Sequence, residues 1–363
     1  MTSRAETRAR TVDFRAGPPY SEETHPVEIT LEQKAFGLET DRIYEGLFKR
    51  STPWLVQKGR ILYFRPVQVK PNEDPPVIQS ENDVKRYGVI TVDEISGEDL
   101  AREQISKDVA AVLRIFKRVE DNLPDFSRHA TAAFRNVKGI SRSYYQWGRE
   151  ETEHSNVAGL ILLATGHSTQ EELDDDYYKT QENTWEPPFE TPIENLIYAM
   201  FQEGNTHGNY IALAKIMEEQ GAVKCAYAIR QVASDEAFHR ASYRRYVEAY
   251  ARLHPQEAQE AALNVAWNFR MPALHLMRNR TRDTVRVVST IGYNKEEVEN
   301  LLRRGLKDLS SFVNQERAEE VVRGYWPAEM ARLNETMRKP ASAVPVSELE
   351  SPPTQNRNGI APA

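Results

Sequence analysis

The chain has 363 residues, 40% of them hydrophobic and 28% charged, and a formal net charge of −7. That apolar fraction supports a globular core and excludes a wholly disordered chain. The single cysteine, Cys225, excludes an intramolecular disulfide, a zinc–thiolate site and an iron–sulfur cluster, so any metal site must be built from carboxylate and imidazole.

Residues 1–28 read as a disordered tail. Arg4, Arg8, Arg10 and Arg15 give it a faint transit-peptide character that Glu6 and Asp13 contradict. One domain is expected over 29–338, with a Pro-rich arm or loop at 60–95. There Ile61, Tyr63, Val67 and Val69 alternate, and Pro66, Pro71, Pro75 and Pro76 forbid a helix. A short hairpin and a structured loop both fit that stretch.

From about residue 98 the pattern turns helical. Ile105, Val109, Val112, Phe116, Val119 and Leu123 step by four and three until Pro124. A second helix is expected over about 141–165, stopped by Gly166 and followed by an acidic loop, Glu171–Asp176. A third starts after Pro192 and runs through Leu196, Met200, Glu203, His207 and Ile211. A fourth carries Ile229, Val232, Glu236, His239, Tyr243 and Tyr246. Further helices are expected over 257–279, 294–308 and 315–338, then a disordered tail over 339–363. No stretch approaches the roughly 18–20 apolar residues that span a bilayer, so no membrane contact is expected, and the location is read as cytoplasmic rather than plastid stroma.

The telling feature is charge on the apolar faces. Glu120, Glu151, Glu203 and Glu236 each take a position where the helical period calls for an apolar side chain. Carboxylates are rarely buried without a partner or a metal. Two of them carry a histidine three residues on, Glu151-Thr-Glu-His154 and Glu236-Ala-Phe-His239, which puts both side chains on one helix face. Single Glu on two helices and Glu-x-x-His on two others is the ligand pattern of ferritin-like di-iron and di-manganese bundles. The fold class expected is therefore all-α, a ferritin-like four-helix bundle with additional helices and a di-metal site in its core. Glu150 and Glu153 are read as flanking surface acids.

In detail the chain resembles the soluble acyl-[acyl-carrier-protein] desaturase family. The resemblance rests on Trp147-Gly-Arg-Glu-Glu151-Thr-Glu-His154, Asp235-Glu236-Ala-Phe-His239, Phe201-Gln202-Glu203-Gly-Asn-Thr206, Glu120-Asp-Asn-Leu123-Pro124 and Met271-Pro272-Ala273, with weaker similarity through Trp326–Leu333. It implies Glu120, Glu151, His154, Glu203, Glu236 and His239 as metal ligands. Thr206 is implied as a proton-managing residue, and Asp235 as the group orienting His154. Trp54 and Trp147 are either part of an electron path or plain core.

The activity implied is an O2-dependent desaturase with two iron ions per chain, manganese being the other metal compatible with the ligands. Its substrate is an acyl chain on acyl carrier protein, its electron donor a ferredoxin-type protein, and its assembly a homodimer; no nucleic acid is expected. Residues 270–308 hold nine Lys and Arg against five acids, a candidate docking face for an acidic carrier protein. Gly204, Asn205 and His207 depart from the family pattern, with a local bulge or a more polar pocket expected there. Two alternatives stand beside desaturation: a hydroxylase or N-oxygenase on a carrier-bound specialised substrate, and a non-enzymatic ferritin-like iron-binding protein.

Overall fold

The computed structural model describes residues 31–48, 54–57, 59–65, 90–182, 185, 187, 189–271, 280–292 and 294–325. In chain order these hold α1 (Leu31–Phe48), β1 (Trp54–Gln57), β2 (Arg60–Arg65), β3 (Ile90–Ser96) and α2 (Gly97–Ala101). Then come α3 (Lys107–Asp121), α4 (Leu123–Phe134), α5 (Lys138–Ala164), α6 (Gln170–Gln181), α7 (Pro192–Glu219) and α8 (Val223–Leu253). The last are α9 (Pro255–Asn268), α10 (Arg280–Ile291), α11 (Lys295–Asp308) and a helix over 315–325, α12. The tails expected at 1–28 and 339–363 lie outside the described residues, as do Pro272-Ala273 and the Trp326–Leu333 motif.

Local chemistry sets most boundaries. Ser106 caps α3 by accepting the Val109 N–H, and Thr191 with Glu194 forms a capping box at the start of α7. The N-terminus of α8 has no cap of its own. Glu103 supplies one across the fold, accepting the N–H groups of Lys224 and Cys225 at 2.7 and 2.8 Å. Gly166, at φ +71°, ends α5 with bonds from the N–H groups of Gly166 and His167 to the carbonyls of Leu163 and Leu162.

Three expectations change. The acidic stretch 171–176 is helix, not loop: Thr169 and Glu172 form a capping box, and Leu173, Asp176 and Thr180 turn one buried stripe inward. Pro124 ends α3 and also opens α4, where its missing N–H costs nothing. At the two ends of the 60–95 segment, β2 pairs with the preceding β1 as a hairpin and β3 joins β2, giving an antiparallel sheet in the order β1-β2-β3; Val67, Val69 and the four prolines between β2 and β3 lie outside the described residues. Glu153, read as a surface acid, accepts the Val56 N–H at 2.9 Å and so ties this sheet to α5. The helix expected over 257–279 stops at Asn268, where Phe269 turns to extended backbone at φ −58° and ψ 132°; residues 272–279 lie outside the described residues.

The bundle consists of α3, α5, α7 and α8, with α7 and α8 as the most extensive pair. Its interior is divided. One apolar cluster takes Tyr144 and Trp147 of α5, Ile193 to Phe201 of α7 and Tyr243 to Val247 of α8. The other takes Val109 to Phe116 of α3, Val157 to Leu162 of α5, Tyr210 to Met217 of α7 and Cys225 to Ala233 of α8. The chain passes from the second cluster to the first in α3 and α8, and the opposite way in α5 and α7. Hence α5 and α7 are parallel, joined by the crossover that contains α6, which is the connectivity of ferritin-like bundles. The seam between the clusters holds Glu120, Glu151, His154, Glu203, Glu236 and His239.

Around this frame, α1 crosses α5 in backbone contact at Gly139, where a Cβ would lie 2.0 Å from the carbonyl carbon of Thr40. Asp41 fixes the crossing through Lys138 and Arg142, both at 2.7 Å. Gly204 makes no bulge, for α7 is continuous. Its missing side chain leaves room for Arg240, whose Cδ would meet a Cβ at 3.1 Å and whose guanidinium pairs with Asp308 of α11. His207 donates from Nδ1 to the Ala233 carbonyl at 2.7 Å, joining α7 to α8. Within the basic stretch, Arg286 pairs with Asp108, Lys295 with Glu299 and Arg303 with Glu319, while Arg304 and Lys307 are exposed.

Candidate metal centre

The six side chains singled out on the four helices meet at the seam, and all six are buried. Their donor atoms form two groups. Glu120, Glu151, His154 and Glu236 offer one atom each, all within 4.8 Å of one another, and so do Glu151, Glu203, Glu236 and His239. Glu151 and Glu236 belong to both groups. Each tetrad therefore has a terminal carboxylate, a terminal imidazole and two shared carboxylates.

The histidines face the cluster in the same way. His154 Nδ1 lies 3.3 Å from Glu151 and 3.4 Å from Glu236, and His239 Nδ1 lies 3.1 Å from Glu151 and 3.3 Å from Glu236. Each Nε2 points away toward another carboxylate. Asp235 Oδ2 is 3.4 Å from His154 Nε2, and Glu150 Oε2 is 2.8 Å from His239 Nε2. Such outer carboxylates fix the tautomer and orientation of a ligating imidazole. Glu150 is thus a buried partner of His239 and not the surface acid expected.

The signal for Glu150 is present in the sequence. Acid–Glu–x–x–His occurs twice, as Glu150-Glu151-Thr-Glu-His154 and Asp235-Glu236-Ala-Phe-His239. The leading acid of each copy holds the histidine of the other. Two further partners escape a motif search. The Tyr210 phenol, two turns after Glu203, donates to Glu120 Oε1 at 2.6 Å, and the Trp147 indole donates to Glu203 Oε1 at 3.1 Å. Thr206 donates its hydroxyl to the Gln202 carbonyl at 3.0 Å. The side chain of Trp54 lies outside the described residues.

The electrostatics fit a pair of divalent cations. Burial first, then the neighbouring carboxylates, raises Glu120 and Glu203 well above the usual carboxylate range. Burial pushes Glu151 and Glu236 the same way, but the two imidazoles overcome it and hold both low. Burial disfavours charge on His154 and His239 as well. Carboxylates outweigh it and raise both: Glu151 and Glu236 around His154, Glu150 and Glu151 around His239. The raised acids and the raised imidazoles both act to lower the net negative charge of the buried cluster. Two divalent cations would balance four ionised carboxylates with both imidazoles neutral. Glu151 Oε1 and Glu236 Oε1, one from each shared carboxylate, are buried and accept no hydrogen bond, which is the condition of oxygens built to meet a cation. Hard oxygen donors with imidazole suit iron or manganese.

Two clefts reach the cluster from different sides. The first is lined by Trp147 and Glu203 together with Phe126, Phe134, Tyr144, Tyr198 and Tyr243. His129, Asn195 and Gln202 add polar groups to it, whereas Gly204, Asn205 and His207 do not line it. The second, an open cleft of about 1320 Å³, touches Glu120 between α3, α5 and α6 and is more polar, with Lys117, Asp121 and Ser155 in its lining. Among the described residues no helix is long and apolar enough to cross a membrane.

A four-helix bundle with one parallel crossover and paired Glu/His tetrads at its centre is the architecture of the ferritin-like di-metal carboxylate class. Within that class the chain belongs to the fatty acid desaturase family, whose model matches residues 78–342. Over 115 residues it is 30% identical to the chloroplastic stearoyl-[acyl-carrier-protein] 9-desaturase of Gossypium hirsutum. That match spans 31% of this chain and 28% of the relative's length.

Proposed function

We propose that the protein is an O2-dependent oxidoreductase with two iron ions, desaturating an acyl chain held on acyl carrier protein with electrons from a ferredoxin-type donor. One observation carries the reading: an aromatic-walled cleft has in its lining Glu203, the terminal carboxylate of one of two tetrads that share Glu151 and Glu236. Bound iron supplies the redox capacity by which O2, two electrons and two protons remove two hydrogens from adjacent carbons and leave an alkene and two waters.

The chain's own residues do the rest. The six ligands hold the metals, and Glu150 and Asp235 keep the imidazoles aimed with Nδ1 inward. The cleft walls bind a narrow apolar chain, orient one carbon pair toward the cluster and exclude water. Thr206 lies one turn beyond Glu203 and is the proposed proton handler, a task that requires its hydroxyl to turn away from the Gln202 carbonyl. The exposed Arg304 and Lys307 support docking of an acidic carrier protein, and cytoplasmic location and a homodimer belong to the same proposal.

A second reading, oxygen insertion into a specialised carrier-bound chain, draws support from His129, Asn195 and Gln202 in the cleft. The Asn195 amide nitrogen is committed to the carbonyls of Phe189 and Thr191, and its Oδ1 is buried with no donor. A chain carrying a hydroxyl or amide donor satisfies that oxygen and a plain alkyl chain does not. The deciding experiment reduces the iron-loaded protein without oxygen, admits O2 with acyl-carrier-protein substrates, and weighs the product. Loss of two hydrogens is expected; gain of one oxygen atom selects the second reading. No product from iron-loaded protein overturns both and leaves iron storage.

A further inference from the structure

We propose that Tyr210 is a positioning residue that makes the two metal positions unequal, holding Glu120 to a single ligating oxygen while Glu203 stays free to change its mode of binding. The inference rests on the di-metal reading above.

Each tetrad has one terminal carboxylate, and in each case one oxygen is already engaged by an aromatic side chain. The two donors differ in strength. The Tyr210 hydroxyl sits 2.6 Å from Glu120 Oε1, the length of a strong O–H···O bond to a carboxylate. The Trp147 N–H sits 3.1 Å from Glu203 Oε1, at the long end of the N–H···O range.

Both donors are buried and braced edge-on by a ring, Trp147 by Tyr144. Tyr210 is 1% exposed, and the Phe116 ring packs against it edge-on at 5.1 Å, so its hydroxyl has little freedom. With Oε1 committed, Glu120 presents Oε2 to the metal shared with His154. Both terminal carboxylates border a cleft, Glu203 the aromatic one and Glu120 the open polar one, so it is the strength of the donor that separates them. A shift from one oxygen to two costs Glu203 only a weak indole bond. The metal position beside Glu203 and His239 is therefore the one that changes coordination when a molecule enters the aromatic cleft, and the position beside Glu120 and His154 keeps its geometry.

The test uses the full chain and cobalt(II) as an anaerobic spectroscopic probe of both positions. The native protein is expected to take up two cobalt ions in two resolved steps. Tyr210→Phe keeps the ring against Phe116 and removes only the hydroxyl; it should weaken one step about 10- to 100-fold, the usual effect of losing a ligand's supporting partner. Trp147→Phe should move the other step. In a Glu120→Ala background Tyr210→Phe should have no further effect, which separates positioning of Glu120 from a general packing role. A single unresolved step in the native protein, equal weakening of both steps by Tyr210→Phe, no weakening at all, or a persistent effect in the Glu120→Ala background each overturns the proposal. Failure of the native protein to bind two ions overturns the di-metal reading itself, with which the proposal falls.

Discussion

Glu150 and His239 form a buried hydrogen bond of 2.8 Å between α5 and α8, and Asp235 and His154 form its counterpart in the opposite direction. The two Glu-x-x-His motifs are cross-braced. Each one donates an imidazole to the cluster and a carboxylate to the imidazole of the other.

That bracing predicts a matched pair of defects. Glu150→Gln and Asp235→Asn should each lower metal affinity about 10- to 100-fold without unfolding the bundle. Metal content after equilibration against a graded chelator series is the measure. Full native occupancy in both variants counts against the outer carboxylates as determinants of the site.

The shared carboxylates should behave differently from the terminal ones. Glu236→Ala or Glu151→Ala removes a donor from both tetrads and is expected to abolish binding of both ions. Glu203→Ala touches one tetrad and is expected to leave about one ion per chain, since the other group keeps its full donor set. Elemental analysis of gel-filtered protein distinguishes the two patterns, and equal losses in all three variants would refute the sharing.

The aromatic cleft can be filled without touching a ligand. Ala199 lies one turn before Glu203 and lines the cleft, so Ala199→Phe should obstruct the chain-binding space. Metal content should be unchanged. The kcat/KM for acyl substrates should fall by about tenfold or more, the scale at which apolar pockets discriminate size. Unaltered kinetics would place the substrate elsewhere.

A stability prediction concerns α6, the crossover helix. Asp176 is 1% exposed and pairs with Arg114 and with Arg118, the latter at 2.9 Å. Burial pushes its pKa up, but the two guanidinium groups overcome that and hold it below the usual carboxylate value. A lowered folded pKa stabilises above the unfolded value near 4, and the gain is lost as pH falls through the folded value. Asp176→Asn should therefore cost about 2 kcal/mol at neutral pH, and the difference from the native chain should shrink in acid. Urea unfolding midpoints at pH 7 and in acid test both halves.

Gly139 offers a steric check on the outer layer. A methyl group there has only the Thr40–Asp41 backbone to displace, and backbone cannot rotate away as a side chain does. Gly139→Ala should cost about 1–3 kcal/mol and loosen α1 first. Faster amide exchange in α1 than in α7 is the expected signature; a uniform change would argue against a local clash.

The sequence by itself determined the four bundle helices and the six inward-facing donors, because a period near 3.6 fixes which residues share a face and an acid on an apolar face has few physical explanations. It could also show acid–Glu–x–x–His twice. What it left open were rotations and partners between helices. Glu150 lies about 100° around α5 from Glu151, a direction that is solvent for an isolated helix and His239 once α8 is packed alongside. Tyr210 reads as one more aromatic core residue until α3 brings Glu120 to its hydroxyl, and Gly204 reads as a flaw until Arg240 fills the space. The parallel course of α5 and α7, the division of the core into two apolar halves, and the choice of Glu151 and Glu236 as the shared carboxylates are likewise tertiary facts. Each depends on distances between residues far apart in the chain, and those are set by packing.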